Sequence, residues 1–225
     1  MTRRILALIV GLALYGAGDA FAIRAGLGVD PWTAFAQGLS LHTGIGVGWI
    51  TNIVGLLVLL LWIPLRQRPG MGTVANILLL GTVMQATLAI VPPVEGIVVQ
   101  FALLIGGTLL VALATGIYIG AGFGPGPRDG LMTGMNTRLR WPIWVCRAIV
   151  ELTVLAIGWL LGGTVGIGTV IFALAIGPLV HLSMARFARV RHGGGAEAST
   201  AQSPIEGDST AQTCPRQDSN LQPSD

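Results

Sequence analysis

The chain has 225 residues, 52% of them hydrophobic and only 10% charged, with a mean hydropathy of +0.74. A soluble domain carries about 25% charged residues, so this composition belongs in lipid. All thirteen basic residues are arginine and they gather at the ends of apolar runs, which excludes a nucleic-acid groove despite the net charge of +3.

The first apolar run, from Ile5 to about Ile23, follows Arg3-Arg4. A charged start, an apolar stretch and Ala20-Phe21-Ala22 have the look of a signal peptide. The run is nearly a full span, however, and we read it as the first of six membrane helices. The second runs from about Val47 to Leu65 and the third from about Thr73 to Val91, stopped by Pro92-Pro93 because proline cannot continue a helix. The fourth runs from about Ile97 to Ile119. Trp141-Pro142 opens the fifth, which reaches Leu161, and the sixth covers about Val165 to Ala185.

Cytoplasmic flanks carry the excess of basic residues. With the N-terminus inside, the inner segments hold Arg3, Arg4, Arg66, Arg68, Arg128, Arg138, Arg140, Arg186, Arg189 and Arg191, and the outer segments hold only Arg24. Both ends of the membrane domain, residues 1–192, are therefore expected in the cytoplasm of a bacterial cell. Trp32, Trp49, Trp62, Trp141 and Trp144 fall near span ends, where indole suits the interface.

Residues 193–225 change to Gly, Ser, Thr, Gln and Pro and read as a disordered tail. Asp218-Ser219-Asn220 matches the translation of the opposite strand of a transfer-RNA T-arm gene, so a spurious read-through is one reading of this tail. Cys146 and Cys214 make neither a metal spacing nor a disulfide framework, and His42, His181 and His192 are scattered. No metal or cofactor is expected.

The chain repeats itself. A shift of 95 or 96 positions lays Ala25-Gly26-Leu27-Gly28 on Ala121-Gly122-Phe123-Gly124. It also lays Trp49-Ile50 on Trp144-Val145, Gly70-Met71-Gly72-Thr73-Val74 on Gly166-Ile167-Gly168-Thr169-Val170, and Gly81 on Gly177. Each unit, about 5–92 and about 97–188, holds three spans. An odd number puts the second unit into the membrane from the opposite side, as in many secondary transporters. The expected fold is therefore all-α: six spans in two inverted repeats, each with a Gly-rich interruption and a short helix after its first span.

The run Ala25-Gly-x-Gly-x-Asp30-Pro31-Trp32, with Gly-x-Gly-Thr-Val and Gly124-Pro-Gly-Pro-Arg-Asp-Gly130, resembles the YczE/YyaS/YitT group of bacterial integral membrane proteins, most closely its YczE-like branch. The resemblance covers about residues 5–188. It implies a multi-pass membrane protein and brings no substrate or catalytic residue with it.

Asp30-Pro31 and Arg128-Asp129-Gly130 look like helix starts, with aspartate as N-cap. The segments after them, about Asp30–Leu41 and about Asp129–Leu139, are too short and polar to span and are either re-entrant or interfacial. Asp19, Arg147 and Glu151 lie within spans, where charge normally faces protein or water. Arg147 and Glu151 are i,i+4 in the weaker order, so either they pair or Arg147 finds Asp19 or Asp129. Asn52 is the repeat mate of Arg147. These seven residues are the candidates for an ion or substrate path.

No nucleophile elbow, P-loop or His-Glu-x-x-His occurs, and no enzyme is expected. The preferred reading is a small carrier of an ion or small polar solute, with its site between the repeats. The alternative is a non-catalytic scaffold for a membrane partner, and a channel ranks behind both. Nothing in the sequence decides for or against a homodimer.

Overall fold

The computed structural model describes residues 1–124 and 126–192, and the expectations for residues 193–225 lie outside them. Among the described residues eight helices follow one another: α1 (Thr2–Ala25), α2 (Pro31–Thr43), α3 (Val47–Leu65), α4 (Met71–Ile90), α5 (Ile97–Gly120), α6 (Pro127–Leu139), α7 (Ile143–Leu160) and α8 (Ile167–His192). Six are long and apolar enough to cross a membrane: α1, α3, α4, α5, α7 and the Ile167–Met184 part of α8. The two short helices, α2 and α6, have 13 residues each. A helix rises about 1.5 Å per residue, so neither reaches across a hydrocarbon core of about 30 Å. The described residues form an all-helical, multi-pass membrane protein.

At the centre α1 crosses α5, and glycines bring the backbones close. Gly18 of α1 lies against Gly107 of α5, where a Cβ would come within 2.9 Å of a carbonyl oxygen. Gly11 sits as tightly against Tyr118. Small residues allow this approach where lipid gives no hydrophobic drive for helices to associate. Around this pair, α4 packs on α1 and α8 on α5, while α2 packs on α7 and α6 on α3.

Backbone features recur 96 positions apart. Gly28 and Gly124 have φ of 116° and 106°, and Gly26 and Gly122 have 67° and 71°. The Gly72 amide donates to the Phe123 carbonyl at 2.9 Å, and the Gly168 amide donates to that of Leu27 at 2.8 Å. Each Gly-rich interruption thus closes over the N-terminus of a late helix in the other half of the chain. Gly28 is seated so closely on the amides of Gly166 and Thr169 that a Cβ would lie 2.7 and 2.9 Å from them.

The two halves differ in how tightly their last two spans pack. α3 lies tightly on α4, with Gly81 against the Gly48 carbonyl and the Asn52 side chain. α7 packs on α2 and α6 and barely meets α8. Gly177, 96 positions after Gly81, has no atom near the place of its missing side chain.

The indoles correct one expectation. Trp49, Trp141 and Trp144 are exposed, as an interfacial belt requires, but Trp32 and Trp62 are buried. Trp62 donates its Nε1–H to the Pro127 carbonyl at 3.0 Å and fills the space left by Gly130. Position near a span end did not distinguish an indole facing lipid from one anchoring a neighbouring helix.

Candidate functional site

The starts of α2 and α6 meet inside the bundle. α2 begins as expected. Asp30 is its N-cap, its Oδ1 accepts from the amides of Trp32 and Thr33 at 3.1 and 3.3 Å, and Pro31 takes the first helical position. This satisfies backbone donors that a helix start leaves without partners. α6 begins two residues earlier than expected, with Pro127 first and Gly126 as N-cap. Asp129 is therefore not the cap. It sits within the first turn and its Oδ2 accepts from the Tyr118 hydroxyl at 3.1 Å. Proline at 127 takes the first helical position, where its fixed φ suits the helix and its missing N–H costs nothing.

Arg128 joins the two starts. Its guanidinium lies 3.5 Å from Asp30 and stacks over the Trp32 ring at 5.2 Å. Burial works against its charge, but Asp30, Tyr15, Asp19 and Asp129 together outweigh that cost and hold the Arg128 pKa above its ordinary value.

Beside this junction lies a cavity of about 390 Å³. Tyr15, Trp32, Asn76, Tyr118, Gly126 and Asp129 line it. Arg147 and Glu151 of α7 and Phe172, Ala173, Ile176 and Gly177 of α8 line it too, along the seam where those helices stand apart. On the other side of Trp32, Pro127 and Arg128 is a second space of about 20 Å³, room for about one water. Thr51, Asn52 and Gly55 of α3 and Asn76, Ile77 and Leu80 of α4 line it.

A family model matches residues 2–185, and its description is a family of unknown function, DUF6198. The chain belongs to DUF6198. An uncharacterized protein of Haemophilus influenzae is 36% identical over 190 residues, 84% of this chain and 87% of its own length. The uncharacterized membrane protein YczE of Bacillus subtilis is 32% identical over 77% of this chain and 82% of its own length. YyaS of the same organism, also uncharacterized, is 27% identical over 78% and 89%. No solved structure matches the chain.

In this DUF6198 chain five of the seven candidate residues line the large cavity: Asp30, Arg128, Asp129, Arg147 and Glu151. Asn52 lines the small space instead and donates to Thr82 at 3.1 Å. Asp19 lines neither. It is 1% exposed, one turn of α1 beyond Tyr15, and its Oδ2 has no hydrogen-bond partner among the described residues. Arg147 pairs with Glu151 at 3.0 Å, not with Asp19 or Asp129. The order along the helix costs a few tenths of a kcal/mol, and the carboxylates proposed as rivals are engaged elsewhere or buried.

Sequence reasoning passed over Tyr15, Tyr118, Asn76 and Gly126. The chain has only two tyrosines, and both reach this cavity, edge to face with ring centres 6.3 Å apart. Their scarcity was the available signal. Gly126 carried none, since its role depends on where α6 begins.

Proposed function

We propose that this protein is a small secondary carrier working by alternating access, with the junction of α2 and α6 as its moving barrier. One observation supports this above all. Two helix pairs that correspond in the repeat, α3–α4 and α7–α8, stand in different states around one polar centre. On α4, Ile77, Leu80 and Gly81 are buried; their mates on α8, Ala173, Ile176 and Gly177, are exposed or half-buried. The space beside the first set is about 20 Å³ and that beside the second about 390 Å³.

In an inverted repeat the two seams open to opposite faces of the membrane. Exchanging their states would carry a bound solute from one face to the other. With the arginine-rich ends inside, the open α7–α8 seam faces the cytoplasm. α2 and α6 are then re-entrant half-helices whose positive ends point at the centre. A non-catalytic scaffold would draw support from the Arg147–Glu151 pair, which is mutually satisfied, but has no use for a polar cavity this large.

Cysteine labelling tests the reading without knowledge of the solute. In a background with Cys146 and Cys214 replaced, Ala173→Cys and Ile77→Cys are each exposed to a membrane-impermeant maleimide from either side of a vesicle. The carrier labels Ala173→Cys from one face and Ile77→Cys from the other. Cross-linking Asn52→Cys with Thr82→Cys, which touch across the α3–α4 seam, should remove labelling of Ile77→Cys. If Ile77→Cys never labels from either face, the protein is static and the proposal fails.

A further inference from the structure

The two short helices begin alike except at the cap. Asp30 closes the start of α2, and the residue 96 positions on, Gly126, has no side chain with which to close α6. The α6 start opens on the large cavity, with Gly126, Pro127, Arg128 and Asp129 all in its wall. A Cβ placed on Gly126 would lie 3.5 Å from Asn76 Nδ2, from Asp129 Oδ2 and from the Tyr118 hydroxyl, and touch nothing closer. The cavity wall at Gly126 therefore admits a first side-chain atom at ordinary van der Waals distance, at the position where α2 carries its capping carboxylate. A second donor waits in the same wall: Trp32 is 6% exposed, and its buried Nε1–H has no partner among the described residues.

The charges ask for more than an anion. Three carboxylates line the cavity, Asp30, Asp129 and Glu151, against two guanidiniums, Arg128 and Arg147. Arg128 is taken by Asp30 and Arg147 by Glu151. That leaves Asp129 with the Tyr118 hydroxyl and no cation within 4.0 Å among the described residues. A lone anion would enter a wall whose formal charge is already negative, and a lone cation would leave the α6 start and the Trp32 donor unanswered.

We propose that the solute is a small zwitterion of the α-amino-acid type. Its carboxylate closes the α6 start as Asp30 closes that of α2, and its ammonium group meets Asp129. An α-amino acid carries both groups on one carbon, and the cap position at Gly126 lies 3.5 Å from Asp129 Oδ2. The side chain extends past Tyr15 and Tyr118 toward Phe172. This rests on the carrier reading and names what the carrier takes.

The test is thermal unfolding of the purified full chain with the twenty proteinogenic L-amino acids. Straight-chain amines and carboxylates of matching length serve as one-armed probes. At about 100 times its Kd, a ligand of the native state raises the midpoint of a domain this size by about 5–10 °C. At least one amino acid should do so, and neither one-armed series should.

Gly126→Asp carries its own cap. It should unfold at a higher temperature than Gly126→Ala when no ligand is present, and lose the amino-acid shift, which Gly126→Ala loses only in part. Asp129→Asn should weaken the amino-acid response about tenfold or more and leave any response to carboxylates as it was. A shift with carboxylates alone, with amines alone, or with none of the probes overturns the zwitterion. An undiminished response in Gly126→Asp, or in Asp129→Asn should the first variant not fold, overturns it equally. Labelling of Ile77→Cys from the face opposite Ala173→Cys would leave the carrier standing in each of these cases.

Discussion

Arg128 lies 3.5 Å from Asp30 and thereby ties the start of α6 to the start of α2, two helices remote in the chain. Both groups are largely withdrawn from solvent, with side chains 21% and 7% exposed. Removing one partner of such a pair strands the other in a low-dielectric setting, at a cost of about 3–5 kcal/mol. Arg128→Met should therefore lower the unfolding midpoint markedly. Asp30→Asn should do less harm than Asp30→Ala, because asparagine caps a helix as well as aspartate, while both lose the ion pair. Equal losses in the two Asp30 variants would show that the cap contributes nothing.

The same pair has a defined pH dependence. The folded Arg128 pKa stands above its ordinary value because Asp30, joined by Tyr15, Asp19 and Asp129, more than offsets the burial that opposes its charge. A group whose pKa is raised by folding lends stability below its unfolded pKa and loses it as pH climbs through the folded one. For arginine that window lies at extreme alkalinity. The difference in midpoint between wild type and Arg128→Met should thus stay level from pH 8 to pH 10, measured by unfolding in buffers of constant ionic strength. A difference that shrinks across that interval contradicts the assignment.

Gly28 and Gly124 share a left-handed backbone but not the same surroundings. Alanine at either has to adopt a positive φ, at about 1–2 kcal/mol. At Gly28 the new methyl would also strike the amides of Gly166 and Thr169, whereas at Gly124 nothing lies closer than 3.5 Å. Gly28→Ala should be the more damaging by about 1–3 kcal/mol of overpacking, seen as a lower midpoint and poorer yield of folded protein.

Much of this fold was legible in the residues themselves. Six spans, both short helices and the Asp30 cap follow from apolar run length, from Pro92-Pro93 and from Asp30-Pro31, all of which are local rules. What escaped was set by contacts between distant segments. Arg4 reads as a topology signal, yet its Nε–H donates to the Ala121 carbonyl at 2.9 Å and its guanidinium covers Phe123. Trp62 reads as an interfacial indole and is a buried anchor for α6. The site was half legible for the same reason. Ionisable residues inside a span announce themselves, but an absence such as the missing side chain at Gly126 has meaning only beside the filled counterpart at position 30.

The Trp62 anchor can be tested by itself. Trp62→Phe keeps one aromatic ring but is smaller and deletes the donor to the Pro127 carbonyl, leaving a buried acceptor without its partner at about 1–3 kcal/mol and a cavity beside it. Gly130→Ala attacks the same contact from the other side, since its methyl would overlap the indole ring. Because both changes loosen α6 from α3, the pair should be less than additive in unfolding measurements. Strict additivity would mean that the two residues do not act through one contact.

Glu151 separates a role in stability from one in transport. Its bond to Arg147 joins side chains 33% and 55% exposed by the absence of protein around them, and pairs of that kind contribute about 0–1 kcal/mol in water. Glu151→Gln should hardly move the unfolding midpoint, because the amide still accepts from Arg147 and no buried charge is created. Its position in the cavity wall, on the side that the open α7–α8 seam exposes, makes it the acid a proton or cation would meet on entry. If the carrier is driven by protons through this group, the variant should lose the pH dependence of uptake into proteoliposomes while retaining its fold. Uptake that keeps the wild-type pH profile would remove Glu151 from the coupling path and leave the buried Asp19, one turn beyond Tyr15, as the remaining acid at the centre outside the Asp30 and Asp129 contacts.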